Sequence, residues 1–480
     1  MLKRRGLLLA LSLTLLAPIA LGAQIQAKKA PAPKSAAPKK AAAASPAALE
    51  PIRLDRSTRP SQRALAEDKK KGVKDPTPVR HFFALRLVPP VSATAAPADV
   101  IVLFDTSASQ VGKIRDKGLA TIDALIAGLG KSDRVHLMAI DLDAVPMTES
   151  LTSASSPAVK SGVEKLRQRV PLGSTDLVAG LKSALGAFDA KSKQRRAIVY
   201  IGDGISGANL AASEEFAAVL ADLAAARVAV SSYSIGARRD DTLLAAVANQ
   251  TGGMLFMDGE SYSAGDVAKY LGKWAGQTVV WPTQVHWPVE VTFYPKRMIP
   301  LRPDRESVVI GRGELPAGAK LRMAAEIDGK NVELSWNIPA VTPSDDNNYL
   351  ARLVESAAPD GGLSLATLGS YGLEAARSTI DRGIELLAET AWQALNTGDL
   401  RGARPLIAHL RHIDPNDPEL ARLEKSLYDQ AGKAKTAYED KARRAAPAKA
   451  PTKATARAVE VAPAVKSKKL VSEESPADVR

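Results

Sequence analysis

Two five-residue apolar runs, 100–104 (V-I-V-L-F) and 197–201 (A-I-V-Y-I), limit what this chain can fold into more than any other feature. A strand with one wet face alternates apolar and polar residues. A strand apolar at each position must be covered on both faces, as a central strand of a parallel sheet is covered by its crossover helices. The residues between and after the two runs repeat the pattern. Helical periodicity over 111–129 lines up Val111, Ile114, Ile122, Leu125, Ile126 and Leu129. Helices are also predicted over 157–169, 176–188, 211–226 and 240–250, and strands over 135–140, 228–235 and 253–257. Strand and helix in alternation predict an α/β fold, a doubly wound and mostly parallel sheet over 98–275, with ligands bound beyond the carboxyl ends of its strands.

The pattern changes on either side. Residues 289–294 and 331–337 alternate, and Asp328-Gly329 is a hairpin signal joining 320–327 to 331–337. An antiparallel β domain with one wet face is expected over 278–345. The stretch 81–88 (H-F-F-A-L-R-L-V), within a lead-in of 79–97, could add a strand to it, which would make the α/β part an insertion. From 363 to 443 the periodicity is helical, broken at Thr397-Gly398-Asp399 and again at Asp414-Pro415-Asn416-Asp417-Pro418, where Asp417 suits an N-cap and Pro418 the first helical position. This region is loosely like a tetratricopeptide unit, and a single unit makes no solenoid.

The chain carries a net charge of +13, which at first suggests a polyanionic partner. Residues 1–50 hold eight Lys/Arg against one Glu, and 433–480 hold twelve against six Asp/Glu, so the body between them is neutral. Specific nucleic-acid binding by a folded face is therefore not expected. Lys3, Arg4 and Arg5 before an apolar stretch from Leu7 to about Ala20, then Gly22 and Ala23, predict a signal peptide over 1–23, cleaved before Gln24. A retained anchor is the alternative, disfavoured because the run is short for a span. Residues 24–50 and 445–480 are rich in Ala, Pro and Lys and too poor in large apolar groups to offset the entropy of ordering. They are expected to be a linker and a disordered tail. The absence of Cys excludes a lipoprotein anchor, disulfides and thiolate metal sites. An exported protein, periplasmic or secreted, without a transmembrane segment after cleavage, is expected.

Three short motifs stand at predicted strand ends: Asp105-Thr106-Ser107-Ala108-Ser109, Gly173-Ser174-Thr175-Asp176 and Gly202-Asp203-Gly204. Their hydroxyls and carboxylates are hard oxygen donors with no His or Cys among them. Such a set suits Mg²⁺, or another divalent cation such as Mn²⁺ or Ca²⁺, with one position left for a partner's carboxylate. Each motif alone is common, and Asp203-Gly204 by itself reads as a turn. At these residues the chain resembles the von Willebrand factor type A family and its metal-ion-dependent adhesion site. The resemblance implies metal coordination by Ser107, Ser109 and Thr175 through hydroxyls and by Asp105 and Asp203 directly or through water. Two positions depart from the family: Ala108 stands where it often has Gly, and Ser174 likewise. Neither departure removes a ligand. The flanks, His81 to Pro90 and Phe293 to Arg297 with Ser307 to Arg312, resemble segments of inter-alpha-trypsin inhibitor heavy chain-like proteins.

No phosphate-binding Gly-Lys-Ser/Thr loop or dinucleotide fingerprint occurs, and Ser107 and Ser109 lack an evident base. His409 and His412 are read as surface residues, and Asp141 and Asp143 as a solvated loop rather than accessory ligands. The expected function is therefore non-catalytic: attachment, through a divalent cation, to an acidic group on a protein partner. The alternatives are a scaffold whose metal site is idle, and tethering to an envelope polyanion through the basic tails.

Overall fold

The apolar run at 100–104 lies in strand β3 (Ala98–Asp105), buried along its whole length. The computed structural model describes residues 49–445, apart from 62–64, 67–68, 71, 73–77, 208–212, 260 and 414–416. The predicted signal peptide, nearly all of the linker and the basic tail lie outside the described residues. Two short strands open the described chain, β1 (Ile52–Arg59) and β2 (Arg80–Leu87). Beside β3 run β4 (Arg134–Ile140), β7 (Arg195–Gly202), β8 (Val228–Ser234) and β9 (Leu255–Met257), while β5 (Ala144–Pro146) and β6 (Thr152–Ser153) pair antiparallel with β4. The order β5-β4-β3-β7-β8-β9 is parallel from β4 onward, with β3 and β7 at its centre.

Helices cover both faces of this sheet, which is why its central strands carry no polar alternation. On one face α1 (Gly112–Gly128), α2 (Pro157–Gln168) and α6 (Ala264–Ala275) pack Ile122, Leu125, Leu166 and Leu271 onto Val100, Val102 and Phe104. On the other, α3 (Leu177–Gly186), α4 (Ser213–Ala225) and α5 (Asp241–Thr251) pack Leu181, Leu220 and Val247 onto Ile101, Leu103 and Tyr200. Caps fix where the helices begin. Ser156 accepts from Ala158 N–H, Asp176 from Ala179 N–H and Asp240 from Leu243 N–H. Val111, predicted on the apolar face of the first helix, is instead its N-cap residue and is exposed. Strand β9 is shorter than predicted, because Gly252 caps α5 with φ of 73° and the chain regains extended form only beyond it.

The remaining strands are β10 (Trp281–His286), β11 (Thr292–Tyr294), β12 (Ser307–Arg312), β13 (Lys320–Ile327) and β14 (Lys330–Asn337). They form two antiparallel sheets, β1-β2-β12-β11 and β10-β13-β14. Strand β2 pairs with β12 across the whole α/β segment in sequence, Leu85 opposite Val309. The expectation of one wet face fails for the four-stranded sheet. Phe83, Leu85 and Leu87 face Leu321, Met323 and Trp336 of the other sheet. Phe82, Ala84, Val308 and Ile310 are covered by α7 (Tyr349–Ala357), a helix the sequence reading missed. The wet face belongs to the three-stranded sheet, where β14 exposes alternate residues. Of the predicted strand at 289–294 only β11 forms, although Val289 and Val291 still pack on the core.

Helices α8 (Gly369–Asn396), α9 (Leu400–Ile413) and α10 (Pro418–Ala445) follow, sharing a core of Ala391, Leu395, Ile407, Leu410 and Leu423. Asp417 accepts from Glu419 N–H at 2.7 Å at the start of α10, as its place before Pro418 predicts.

Candidate metal centre

All five oxygen-bearing residues singled out in the sequence meet at the carboxyl ends of β3 and β7 and on the loop before α3. Asp105 is the last residue of β3 and fully buried. Its Oδ1 accepts from Ser107 N–H at 2.9 Å, which turns the chain sharply and sets Ser107 back over the strand end. The hydroxyls of Ser107 and Ser109 lie 3.0 Å apart, and Ser109 Oγ donates to Asp203 Oδ2 at 2.5 Å. Thr175 Oγ1 reaches both Asp105 oxygens at 3.0 Å. The loop of Thr175 is held in place by its backbone: Ala108 N–H donates to Gly173 O and Leu172 N–H to Thr106 O, both at 3.0 Å. Neither family departure displaces an oxygen from this cluster. Ala108 is exposed, and Ser174 Oγ is directed toward Gly207.

Two further residues, missed in the sequence, complete the arrangement. Tyr200, wholly buried in β7, donates its hydroxyl to Asp105 Oδ2 at 2.8 Å and accepts from Gly204 N–H at 3.1 Å. Gln110 Nε2 donates to Asp203 Oδ2 at 3.2 Å and to Ile235 O at 3.3 Å. The one signal for Tyr200 was a phenol in an otherwise aliphatic central strand. Gln110 gave none beyond following Ser109. Gly202 matters sterically, since a Cβ there would fall on the Tyr200 hydroxyl and within 2.5 Å of Asp105 Cβ.

Electrostatically the cluster is one-sided. Asp105 and Asp203 are both buried, and neither has a Lys or Arg partner among the described residues. Burial pushes the Asp105 carboxyl above the usual carboxylate range; hydrogen bonds from Ser107 and Tyr200 oppose this, and the charge of Asp203 adds to it. Burial, with the neighbouring carboxylates, raises the Tyr200 phenol well above its ordinary value, so it remains a donor. Two buried carboxylates with three hydroxyls and no counter-charge are a donor set that a hard divalent cation would fit. Among the described residues no cluster of three or more His, Cys, Asp or Glu offers another metal site.

The other polar candidates are occupied elsewhere. Asp141 accepts from Arg169 Nη2 at 2.5 Å and from Thr106 Oγ1 at 3.0 Å, and despite its partial burial these contacts hold its carboxyl below the usual range. It braces the loops instead of joining the cluster. Asp143, His409 and His412 are exposed. His136 is buried with Nδ1 2.7 Å from Thr148 Oγ1, and its burial lowers its pKa.

A central parallel sheet with an Asp-x-Ser-x-Ser turn at one strand end defines a class of α/β domain, and the sequence agrees. Residues 98–256 match the family model of the von Willebrand factor type A domain. Solved structures similar to the chain include a von Willebrand factor type A protein from Catenulispora acidiphila, at 14% identity and a TM-score of 0.41, covering 69% of this chain and 83% of that one. The ArnB paralog VWA2 from Sulfolobus acidocaldarius is similar at 13% identity and a TM-score of 0.37, covering 80% and 97%. Proximal thread matrix protein 1 of the mussel byssus, solved with its MIDAS motif occupied by zinc, is similar at 17% identity and a TM-score of 0.32, covering 39% and 49%. No curated protein sequence matches the chain. The family match ends at residue 256, so the flanking likeness to inter-alpha-trypsin inhibitor heavy chains stays a reading of the sequence.

Proposed function

We propose that the type A domain is a divalent-cation-dependent binding module with no catalytic role, and that it grips an acidic side chain of a protein partner. One observation carries the reading: Asp105 and Asp203 are buried together, linked through Ser107 and Ser109 with Thr175 bonded to Asp105, and have no cationic partner among the described residues. A Mg²⁺ or Mn²⁺ ion held by these five residues would neutralise them and keep at least one position for an external carboxylate. The rest of the chain serves as a rigid mount in this reading, and the basic tail adds no specificity. Export is part of the proposal and rests on the N-terminal sequence. No helix among the described residues is long and apolar enough to cross a membrane.

Titration calorimetry of the full chain with Mn²⁺ and Mg²⁺ tests the site. One ion per chain is expected for the wild type, with loss of binding in Asp105→Ala and at least a ten-fold weakening in Thr175→Ala. An unchanged affinity in Asp105→Ala would remove the basis of the reading.

A further inference from the structure

Thr106 stands in the chain between two of the candidate ligands, Asp105 and Ser107, and is fully buried, yet its hydroxyl bonds elsewhere. It donates to Asp141 Oδ2 at 3.0 Å, with Ile140 O at 3.2 Å as a second acceptor, and accepts from Arg169 Nε at 3.1 Å. The backbone of Thr106 is engaged on both sides as well. Its N–H donates to Ile140 O at 2.7 Å, and its carbonyl accepts from Leu172 N–H at 3.0 Å. A buried hydroxyl with this many partners ties together whatever segments supply them.

Arg169, the C-cap residue of α2, supplies the outermost of them. Its Nε and Nη2 reach Asp141 Oδ2 at 3.2 and 2.5 Å. Arg169 is itself anchored. Arg115 of α1, buried with its guanidinium 5.7 Å from the Phe104 ring centre, donates through Nη2 to Arg169 O at 2.6 Å and to Leu166 O at 2.5 Å. On the inner side, Asp141 O accepts from Asp176 N–H at 2.8 Å, one residue beyond Thr175. The loop of Thr175 is therefore fastened at Leu172 to Thr106, at Gly173 to Ala108 and at Asp176 to Asp141. Two of these fastenings end on the residues that Arg169 grips.

We infer that Arg169 is a positioning residue for the candidate metal site: with Thr106 and Asp141 it forms a latch that holds the Thr175 hydroxyl against Asp105, and cation affinity depends on that latch. The inference rests on the metal-dependent reading above. A guanidinium suits the task because its rigid fork meets Thr106 and Asp141 at once, whereas a lysine ammonium offers no fixed fork. The latch also predicts a sign opposite to that of simple electrostatics. Arg169 is a cation near a cation site, so loss of its charge alone would tighten binding. Loss of the latch frees the Thr175 loop and weakens binding, by the roughly 10–100-fold that hydrogen bonds behind a metal ligand are worth.

The test titrates Mn²⁺ into the full chain, Arg169→Met, Thr175→Ala and the double variant, with electron paramagnetic resonance counting the free ion. Arg169→Met is expected to bind about ten-fold more weakly than the wild type. The double variant should bind within about two-fold of Thr175→Ala, because the latch acts through a hydroxyl already removed. Unchanged or tighter binding by Arg169→Met overturns the proposal, and so does full additivity in the double variant. Amide hydrogen exchange in EDTA reads the latch without the metal. The Leu172 and Asp176 amides are expected to exchange about ten-fold faster in Arg169→Met while those of β8 keep their protection. Unchanged exchange at both positions, or equal acceleration in β8, overturns the latch. Thr106→Val keeps the branched shape without the hydroxyl; it should reproduce both effects and decides the matter if Arg169→Met does not fold. A wild type that holds no Mn²⁺ overturns the metal-dependent reading and this inference together, whereas equal affinities of wild type and Arg169→Met overturn this inference alone.

Discussion

The Tyr200 hydroxyl donates to Asp105 Oδ2 at 2.8 Å, a bond between two neighbouring central strands at the floor of the oxygen cluster. It fixes one carboxylate oxygen from below while Thr175 reaches the same group from the next loop. The phenol also accepts from Gly204 N–H, so the two strand ends share one anchor.

Tyr200→Phe should therefore cost about 1–3 kcal/mol, because a buried carboxylate loses a donor and a buried N–H loses its acceptor. Urea denaturation in EDTA measures the loss. Mn²⁺ affinity should fall as well, since Asp105 is then free to rotate. A variant as stable as the wild type would mean that water replaces the phenol.

Gly202→Ala places a methyl group against both Tyr200 and Asp105. Overpacking at a site with no room costs roughly 1–3 kcal/mol, and here the displaced atoms include a carboxylate of the cluster. The expected outcome is a lower melting temperature together with loss of Mn²⁺ binding. By contrast, no atom lies within 4 Å of a Cβ added at Gly128, so Gly128→Ala serves as a neutral control.

A cation that binds only the folded cluster must stabilise the fold. At about a hundred times its Kd the gain is roughly 2.7 kcal/mol. Thermal melts should rise with added Mg²⁺ or Mn²⁺ and return with EDTA. Asp203→Asn, which removes one of the two buried charges, should abolish the rise. A melting temperature indifferent to both ions would argue for an idle site.

The α/β domain is bound to the β13–β14 hairpin by Arg195, which pairs with Asp328 at 2.7 Å and donates to Thr94 O and Gly276 O at 2.5 and 2.6 Å. The hydrogen bond and charge of Arg195 hold the Asp328 carboxyl below its usual range, against the effect of partial burial. A depressed carboxylate pKa gives stability that is present above the unfolded-state value and lost as pH falls through the folded one. Asp328→Asn should thus cost no more than about 1 kcal/mol at pH 7, given its exposure, and nothing at acid pH where the wild-type carboxyl is protonated. Arg195→Ala should cost about 2–3 kcal/mol, since two carbonyls also lose their donor. Chemical denaturation across the pH range separates the two variants.

The two apolar runs specify a sheet covered on both faces because no other arrangement hides residues such as Ile101, Val102 and Leu103 together. The start of α10 was legible for a local reason: the Asp417 side chain satisfies an N–H two residues ahead, beside a proline that suits the first helical position. The oxygen motifs could be read because they lie within a few residues of strand ends, whose positions the hydrophobic pattern gives.

Features that depend on distant partners were not legible. Val111 fits a helical stripe by spacing, yet the helix starts one residue later and leaves it in solvent. The apolar run Phe82 to Leu85 is a local sign that both faces of β2 are covered, but it does not tell by what, because its partners β12 and α7 lie more than two hundred residues away in sequence. Tyr200 is one more large residue in a buried strand until the sheet register puts its hydroxyl beneath Asp105. By itself the sequence determined the class of sheet, the helix cap at Asp417 and the chemical type of the candidate site. Tertiary structure alone decided that five oxygen-bearing side chains from three loops share one cluster, whose two carboxylates are buried with no cationic partner among the described residues. The reason is range: periodicity and capping act within a few residues, whereas burial and electrostatic neighbourhood are set by whichever segments the fold brings together.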